Sequence, residues 1–216
     1  MRAWFWRYAS FLALFFLGVI CSPSQAASLY FQNTDGAWLN VSGNSRLAQT
    51  FSTGNSAMTL DSVAVWIRIA NSSNSSSTTS SFSLNLFALD ANFKPTGSSL
   101  LNIGSATWGP WGDGISTFSS LNYSLAANTQ YAVVMSGTGT IGWKYPGSAT
   151  PTSSISPTPT FRDWTSSDSG STWSDAAPAN GFNMQVNATA VPEPASASLV
   201  ILGIAGAMVL KKKRWM

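Results

Sequence analysis

The sequence predicts an all-β protein: an antiparallel β-sandwich ectodomain, jelly-roll-like, over residues 27–190, flanked by an N-terminal signal peptide and a C-terminal single transmembrane helix. Three observations carry that reading. Apolar residues between the termini recur at every second position, no stretch there has the spacing of an amphipathic helix, and Gly, Asn, Asp and Ser separate the short alternating runs. The two termini are instead continuous apolar runs beside basic residues.

Residues 1–26 read as the signal peptide. Arg2 and Arg7 give a positive start, Phe11 to Ile20 an apolar stretch, and Ser24-Gln25-Ala26 the small residues at which cleavage is expected, after Ala26 or alternatively Ala27. The lone Cys21 lies inside this segment, and the bulky Ile20 before it argues against a lipoprotein signal. The mature chain then holds no cysteine, so packing rather than disulfides must stabilise it.

The strands follow in order. Val63, Val65, Ile67 and Ile69 share one face while Ser62, Ala64, Trp66 and Arg68 share the other. The same alternation sets Phe82, Leu84 and Leu86 opposite Ser83 and Asn85, and Leu121, Tyr123 and Leu125 opposite Asn122 and Ser124. It recurs at Tyr131, Val133 and Met135 and at Phe182, Met184 and Val186. Each such strand buries one face against a facing sheet. Between them, 71–81 reads as a long polar hairpin connection, 89–97 as a compact turn, and 146–159 as irregular Ser/Thr/Pro-rich chain.

The tail, 191–216, has three parts. Proline fixes φ, lacks an N–H and pushes its predecessor toward extended backbone, so Val191-Pro192-Glu193-Pro194 is a stiff extended tetrapeptide. The apolar run 195–210 makes a helix about 24 Å long at roughly 1.5 Å per residue, against about 30 Å of hydrocarbon. Lys211, Lys212, Lys213 and Arg214 follow as a basic stop whose long stems snorkel to close the gap, and whose charge holds this end cytoplasmic. This arrangement closely resembles the PEP-CTERM sorting signal of Gram-negative surface and exopolysaccharide-associated proteins. The resemblance implies that Val191, Pro192, Glu193 and Pro194 are a recognition motif for exosortase, a membrane-embedded transpeptidase-like enzyme that removes the helix and passes the protein outward. An ordinary tail anchor with a Pro-rich linker is the alternative.

A second resemblance covers about 37–188. The runs Gln49 to Gly54, Leu60 to Val63, Leu86-Phe87 with Pro95-Thr96-Gly97 and Leu100-Leu101, Leu125 to Val134, and Ile141-Gly142-Trp143 look like the choice-of-anchor R domain. These motifs are short. That family consists of exported β-sandwich modules that recur with different anchoring signals, so the resemblance implies fold and location and no enzyme activity.

Composition narrows the function. Between 27 and 190 five basic residues face seven Asp, a net charge of −2, so the domain has no electrostatic footprint for nucleic acid. With no histidine and no mature cysteine, the usual acyl-transfer triads and thiol chemistry are absent. A carboxylate pair drawn from the Asp residues would be the remaining route, and Asp at turns is the plainer reading, so no catalytic residue is assigned and no enzyme is expected. No cofactor is expected either. Asp90 and Asn92 have the alternating spacing of a calcium loop, but Lys94 takes the next position and no acidic residue closes the loop.

The aromatics carry the binding hypothesis. Trp108 and Trp111 flank Gly109-Pro110, and Trp164 and Trp173 lie in Ser/Gly-rich stretches, so these four are candidate carbohydrate-binding residues whose faces stack on sugars. The competing reading is that they plug the sandwich ends or pack under loops. The resemblance to the choice-of-anchor R domain, whose pattern Trp143 matches, implies that this tryptophan is core. The expectation is an exported surface or extracellular-matrix protein with a structural or adhesive role. Its processing partners are signal peptidase and exosortase, the inner membrane holds it transiently, and exopolysaccharide is a further candidate partner. A lectin-like module is the alternative, and a metal-dependent hydrolase a more distant one.

Overall fold

The computed structural model describes residues 26–30, 36–69, 79–109, 112–139, 141–146, 152–153, 162–176 and 181–191. The chain divides into a unit of Ala26–Ala190 and a unit joining Met1–Gln25 to Val191–Met216. Of the latter only Val191 is described, and it is exposed. The expected signal peptide, Pro192 to Pro194, the run 195–210 and Lys211 to Arg214 therefore lie outside the described residues. Among the described residues no helix is long and apolar enough to cross a membrane.

The described residues form thirteen strands: β1 (Ala26–Tyr30), β2 (Gly36–Val41), β3 (Arg46–Ser52), β4 (Met58–Ile69), β5 (Ser80–Leu89), β6 (Pro95–Trp108), β7 (Gly112–Leu125), β8 (Gln130–Thr138), β9 (Ile141–Pro146), β10 (Thr152–Ser153), β11 (Asp163–Ser166), β12 (Ser174–Asp175) and β13 (Met184–Ala190). They make two antiparallel sheets, consistent with a β-sandwich. The second sheet runs β12-β11-β3-β8-β5-β6. The first is organised on β4, whose one edge pairs along its length with β7 while its other edge is shared by β13, at 58–65, and β9, at 67–69. β1 and β10 extend the sheet beyond β13, and β2 extends it beyond β9.

The expected alternation decides what lies between the sheets. Val63, Val65, Ile67 and Ile69 of β4 meet Phe82, Leu84 and Leu86 of β5 and Tyr131, Val133 and Met135 of β8 in one core, with Met184 and Val186 of β13. Trp143 of β9 is fully buried there, as its sequence position suggested. It stacks on Phe182 at 4.8 Å and donates its indole N–H to the Asn183 carbonyl at 3.0 Å.

The segment before β13 crosses the interior and joins both sheets. Phe182 N–H donates to Gln49 Oε1 of β3 at 2.6 Å, while Asn183 N–H donates to the Lys144 carbonyl of β9 at 2.7 Å. The Asn183 carbonyl also accepts from Trp66 N–H at 3.2 Å. Asn183 thus fills the gap in the first sheet where β13 stops and β9 starts.

At the other margin, β6 of the second sheet and β7 of the first close on each other through aromatic rings laid on glycines. Phe118 covers Gly104, and Trp108 covers Gly112 and Gly114.

Some loop boundaries differ from expectation. Pro95 to Gly97 belong to β6, so the compact turn shrinks to Asp90 to Lys94. Ser80 and Ser81 belong to β5, and 70–78 lies outside the described residues. The irregular stretch 146–159 contains β10, which pairs with β1. β1 itself begins at Ala26, so cleavage after Ala26 would leave 27–30 in the strand.

Candidate functional site

The second sheet is covered on both faces. In β8, Ala132 and Val134 alternate with core residues and point to the outer face, where Ala48 of β3 stands opposite Val134 and beside Trp164 of β11. Small side chains at 48 and 132 leave a depression for large rings. Trp164 and Trp173 fill it, with Phe87, Leu89 and Phe93 packed against them.

Two loops wall this depression. The first is the β5–β6 turn, where Asp90 Oδ1 accepts from the N–H groups of Asn92 (2.8 Å) and Lys94 (2.9 Å). That turn puts Phe93 at φ +64°, an uncommon conformation for a bulky residue, and its burial against the tryptophan cluster offsets the cost. Arg162 lies 5.1 Å over the Phe93 ring, and Lys94 Nζ lies 5.4 Å over that of Trp164.

The second wall, 166–173, is organised by Asp168. Its carboxylate accepts from Thr172 N–H (2.8 Å), Thr172 Oγ1 (2.7 Å) and Ser166 Oγ (2.8 Å). These bonds, the Thr172 backbone first, hold the Asp168 carboxyl down at about 2. Ser166 Oγ in turn accepts from Gly170 N–H at 2.8 Å, and Ser169 N–H ties the loop to the Asn44 carbonyl. Gly170 has φ +91° and lies against the Trp173 ring edge and the Arg46 stem. The loop is therefore a fixed clasp that presses Trp173 onto the sheet.

Between the walls runs a groove of about 750 Å³, lined by Arg46, Asn85, Phe87, Asp90, Lys94, Thr96, Ser98, Ser171 and Trp173 among others. A second recess, about 600 Å³, lies beyond Lys94 and Trp173 and is lined by Phe93, Arg162, Trp164 and Asp175. The indole N–H groups of Trp164 and Trp173 are buried and find no acceptor among the described residues. Among the described residues Arg46, Lys94 and Arg162 form no ion pair.

The four candidate tryptophans separate. Trp164 and Trp173 come together at this site, but only 4% and 8% exposed, so their faces are packed rather than open. Of the two readings, this favours packing over exposed stacking faces for these two rings: Trp164 is on a strand, and the Asp168 clasp brings Trp173 down onto the outer face. Trp108 is half-buried against the core, with its N–H donating to Ser116 Oγ at 3.1 Å. Trp111 lies outside the described residues. Asp90 spends one carboxylate oxygen on its own turn, and among the described residues no group of three or more His, Cys, Asp or Glu could hold a metal ion.

Sequence reasoning missed Arg46, Phe87 and Phe93. It also missed the clasp, whose signal was present as Ser166, Asp168, Gly170 and Thr172 at every second position before Trp173. A separate aromatic site lies on the outer face of the first sheet. There Trp38 carries Lys144 Nζ at 5.6 Å and the Arg68 guanidinium at 6.0 Å.

Behind the second recess, burial pushes the Asp163 carboxyl up to about 6 from its ordinary 3.8, against a lowering hydrogen bond from Gly181 N–H. The folded chain therefore binds this proton more tightly than the unfolded one. Stability is greatest below about pH 4 as far as this group is concerned, and falls as pH rises toward and through 6. The Asp168 contribution has the opposite sign and is lost only below this window, as pH falls from about 4 through 2. The melting temperature is expected to fall by about 5 °C between pH 4.5 and 7.5, and Asp163→Asn to remove most of that fall. Scanning calorimetry of both proteins is the check, and parallel pH profiles would contradict the assignment.

No protein-family model matches the chain, and no curated protein matches it. One solved structure with some likeness is that of the infectious bursal disease virus Gx strain, at 8% identity and a TM-score of 0.24 over 89% of this chain. The match covers 49% of the viral chain, so this chain spans about half the length of that one. At that score the likeness supports no structural argument.

Proposed function

We propose that this chain is an exported protein of a Gram-negative bacterium, carried to the cell surface or extracellular matrix by its C-terminal sorting signal, with a structural or adhesive role there. The observation that supports the reading is the order of the last residues: β13 ends at Ala190, and Val191-Pro192-Glu193-Pro194, an apolar run and Lys211 to Arg214 follow without interruption. Signal peptidase, exosortase and the inner membrane are its transient partners. The resemblance to the choice-of-anchor R domain and a jelly-roll-like reading of the sandwich agree with an extracellular module. The absence of histidine and of mature cysteine favours a binding or scaffolding role over catalysis.

Mass spectrometry of the mature C-terminus tests the sorting step. The expected result is loss of the apolar run and basic stop, with the mature end close to Val191 to Pro194. A mature protein that still ends at Met216 would leave an ordinary tail anchor.

A further inference from the structure

We propose that the groove on the outer face of the second sheet, between the Asp90 to Lys94 turn and the Asp168 clasp, binds an acidic saccharide. The sugar carboxylate would lie between Arg46 and Lys94, with the ring against Phe87.

Hydrogen-bond accounting leads to this ligand. The groove lining offers donors in excess of charged acceptors: a guanidinium, an ammonium and Ser and Thr hydroxyls. Arg46, Lys94 and Arg162 are three of the five basic residues between 27 and 190, and the folding of distant segments gathers them on one face. Charge-assisted bonds to a carboxylate are the strong ones such cations make. Of the carboxylates nearby, Asp168 has both oxygens engaged by its own loop, Asp163 is buried, Asp175 lies in the second recess with Arg162, and Asp90 has one oxygen engaged by its turn. That leaves the second oxygen of Asp90, with Asn85, to accept sugar hydroxyls.

Shape and lining agree with the chemistry. The groove has the size of ordinary ligand sites, with a half-buried ring at the floor for the C–H face of a pyranose and hydroxyl-bearing walls for its edges. The fixed clasp and the hydrogen-bonded turn hold the walls apart without a ligand, which lowers the ordering cost of binding.

The test uses the full mature chain and an oligogalacturonate of four to six residues, with its methyl ester as the neutral counterpart. Titration followed by calorimetry and tryptophan fluorescence is expected to show saturable binding of the acid, with the ester at least about tenfold weaker. Lys94→Gln and Arg46→Gln should each weaken the acid by about tenfold or more, while Arg68→Gln on the opposite sheet should leave it unchanged. Circular dichroism and melting temperature confirm that each variant is folded. Lys94→Gln removes a partly exposed charge and leaves the turn bonds of Asp90 intact. No saturable binding, equal binding of acid and ester, or a folded Lys94→Gln that binds like the wild type would each overturn the proposal. The measurement does not depend on how the tail is processed, so it can fail while the sorting proposal holds, and the reverse.

Discussion

Trp143→Ala is expected to cost about 4 kcal/mol of folding stability, within the range for removing a fully buried tryptophan. The ring has 0% exposure, stacks on Phe182 with 19° between planes, and bonds the Asn183 carbonyl at the branch of the first sheet. Its removal therefore opens a cavity and loosens the segment that leads into β13. Trp143→Phe should restore most of the packing but not the hydrogen bond, and so recover roughly half the loss. Urea denaturation with an unchanged m-value is the measurement. A loss below about 1 kcal/mol for the alanine variant would mean that the core collapses around the gap more fully than the packing suggests.

Gly104→Ala is expected to destabilise by about 3 kcal/mol, a large effect for one added methyl. Gly104 has φ +149°, and a Cβ there would lie 2.8 Å from Phe118 Cε1 and closer still to Cδ1. Phe118 cannot easily retreat, since it is set edge-on against Phe82 at 6.0 Å. In a Phe118→Ala background the same substitution should cost only its backbone share, so a double-mutant cycle should return a coupling of about 1–2 kcal/mol. Additive effects would show that ring and glycine do not act as one contact. Gly114 repeats the arrangement from the other strand, where a Cβ would lie 2.8 Å from Trp108 Cη2.

These two contacts show which parts of the fold can be read along the chain. β4, β5, β8 and β13 carry alternating apolar residues, and their inward faces followed from that pattern. β3 did not, because Leu47 to Phe51 is buried on both faces and includes Gln49 and Thr50. Its outer face is covered by chain more than a hundred residues later, and no local window contains that information. β6 was hidden for the opposite reason: as a margin strand rich in Ser, Thr and Gly it buries little, and it closes on β7 through Phe118 over Gly104 and its own Trp108 over Gly112 and Gly114.

The candidate site was legible only in fragments. Trp164 and Trp173 stood out as aromatics, yet their packing against Ala48, Ala132 and Val134 needs the register of three strands. Along the chain Lys94 only interrupts a calcium-type loop, and nothing singles out Arg46. Both line one groove because the β5–β6 turn, which carries Lys94, folds over the sheet that carries Arg46 at the start of β3.

The placement of β13 has a mechanical consequence. It lies between β1 and β4, antiparallel to both, and its last residue, Ala190, directly precedes Val191. Any pull delivered through Val191 acts along the strand, across hydrogen bonds that lie perpendicular to it on both sides. Such bonds are loaded in shear and must give way together, whereas a strand peeled from a sheet edge unzips one pair at a time. A molecule held by this end would resist tugging without any disulfide.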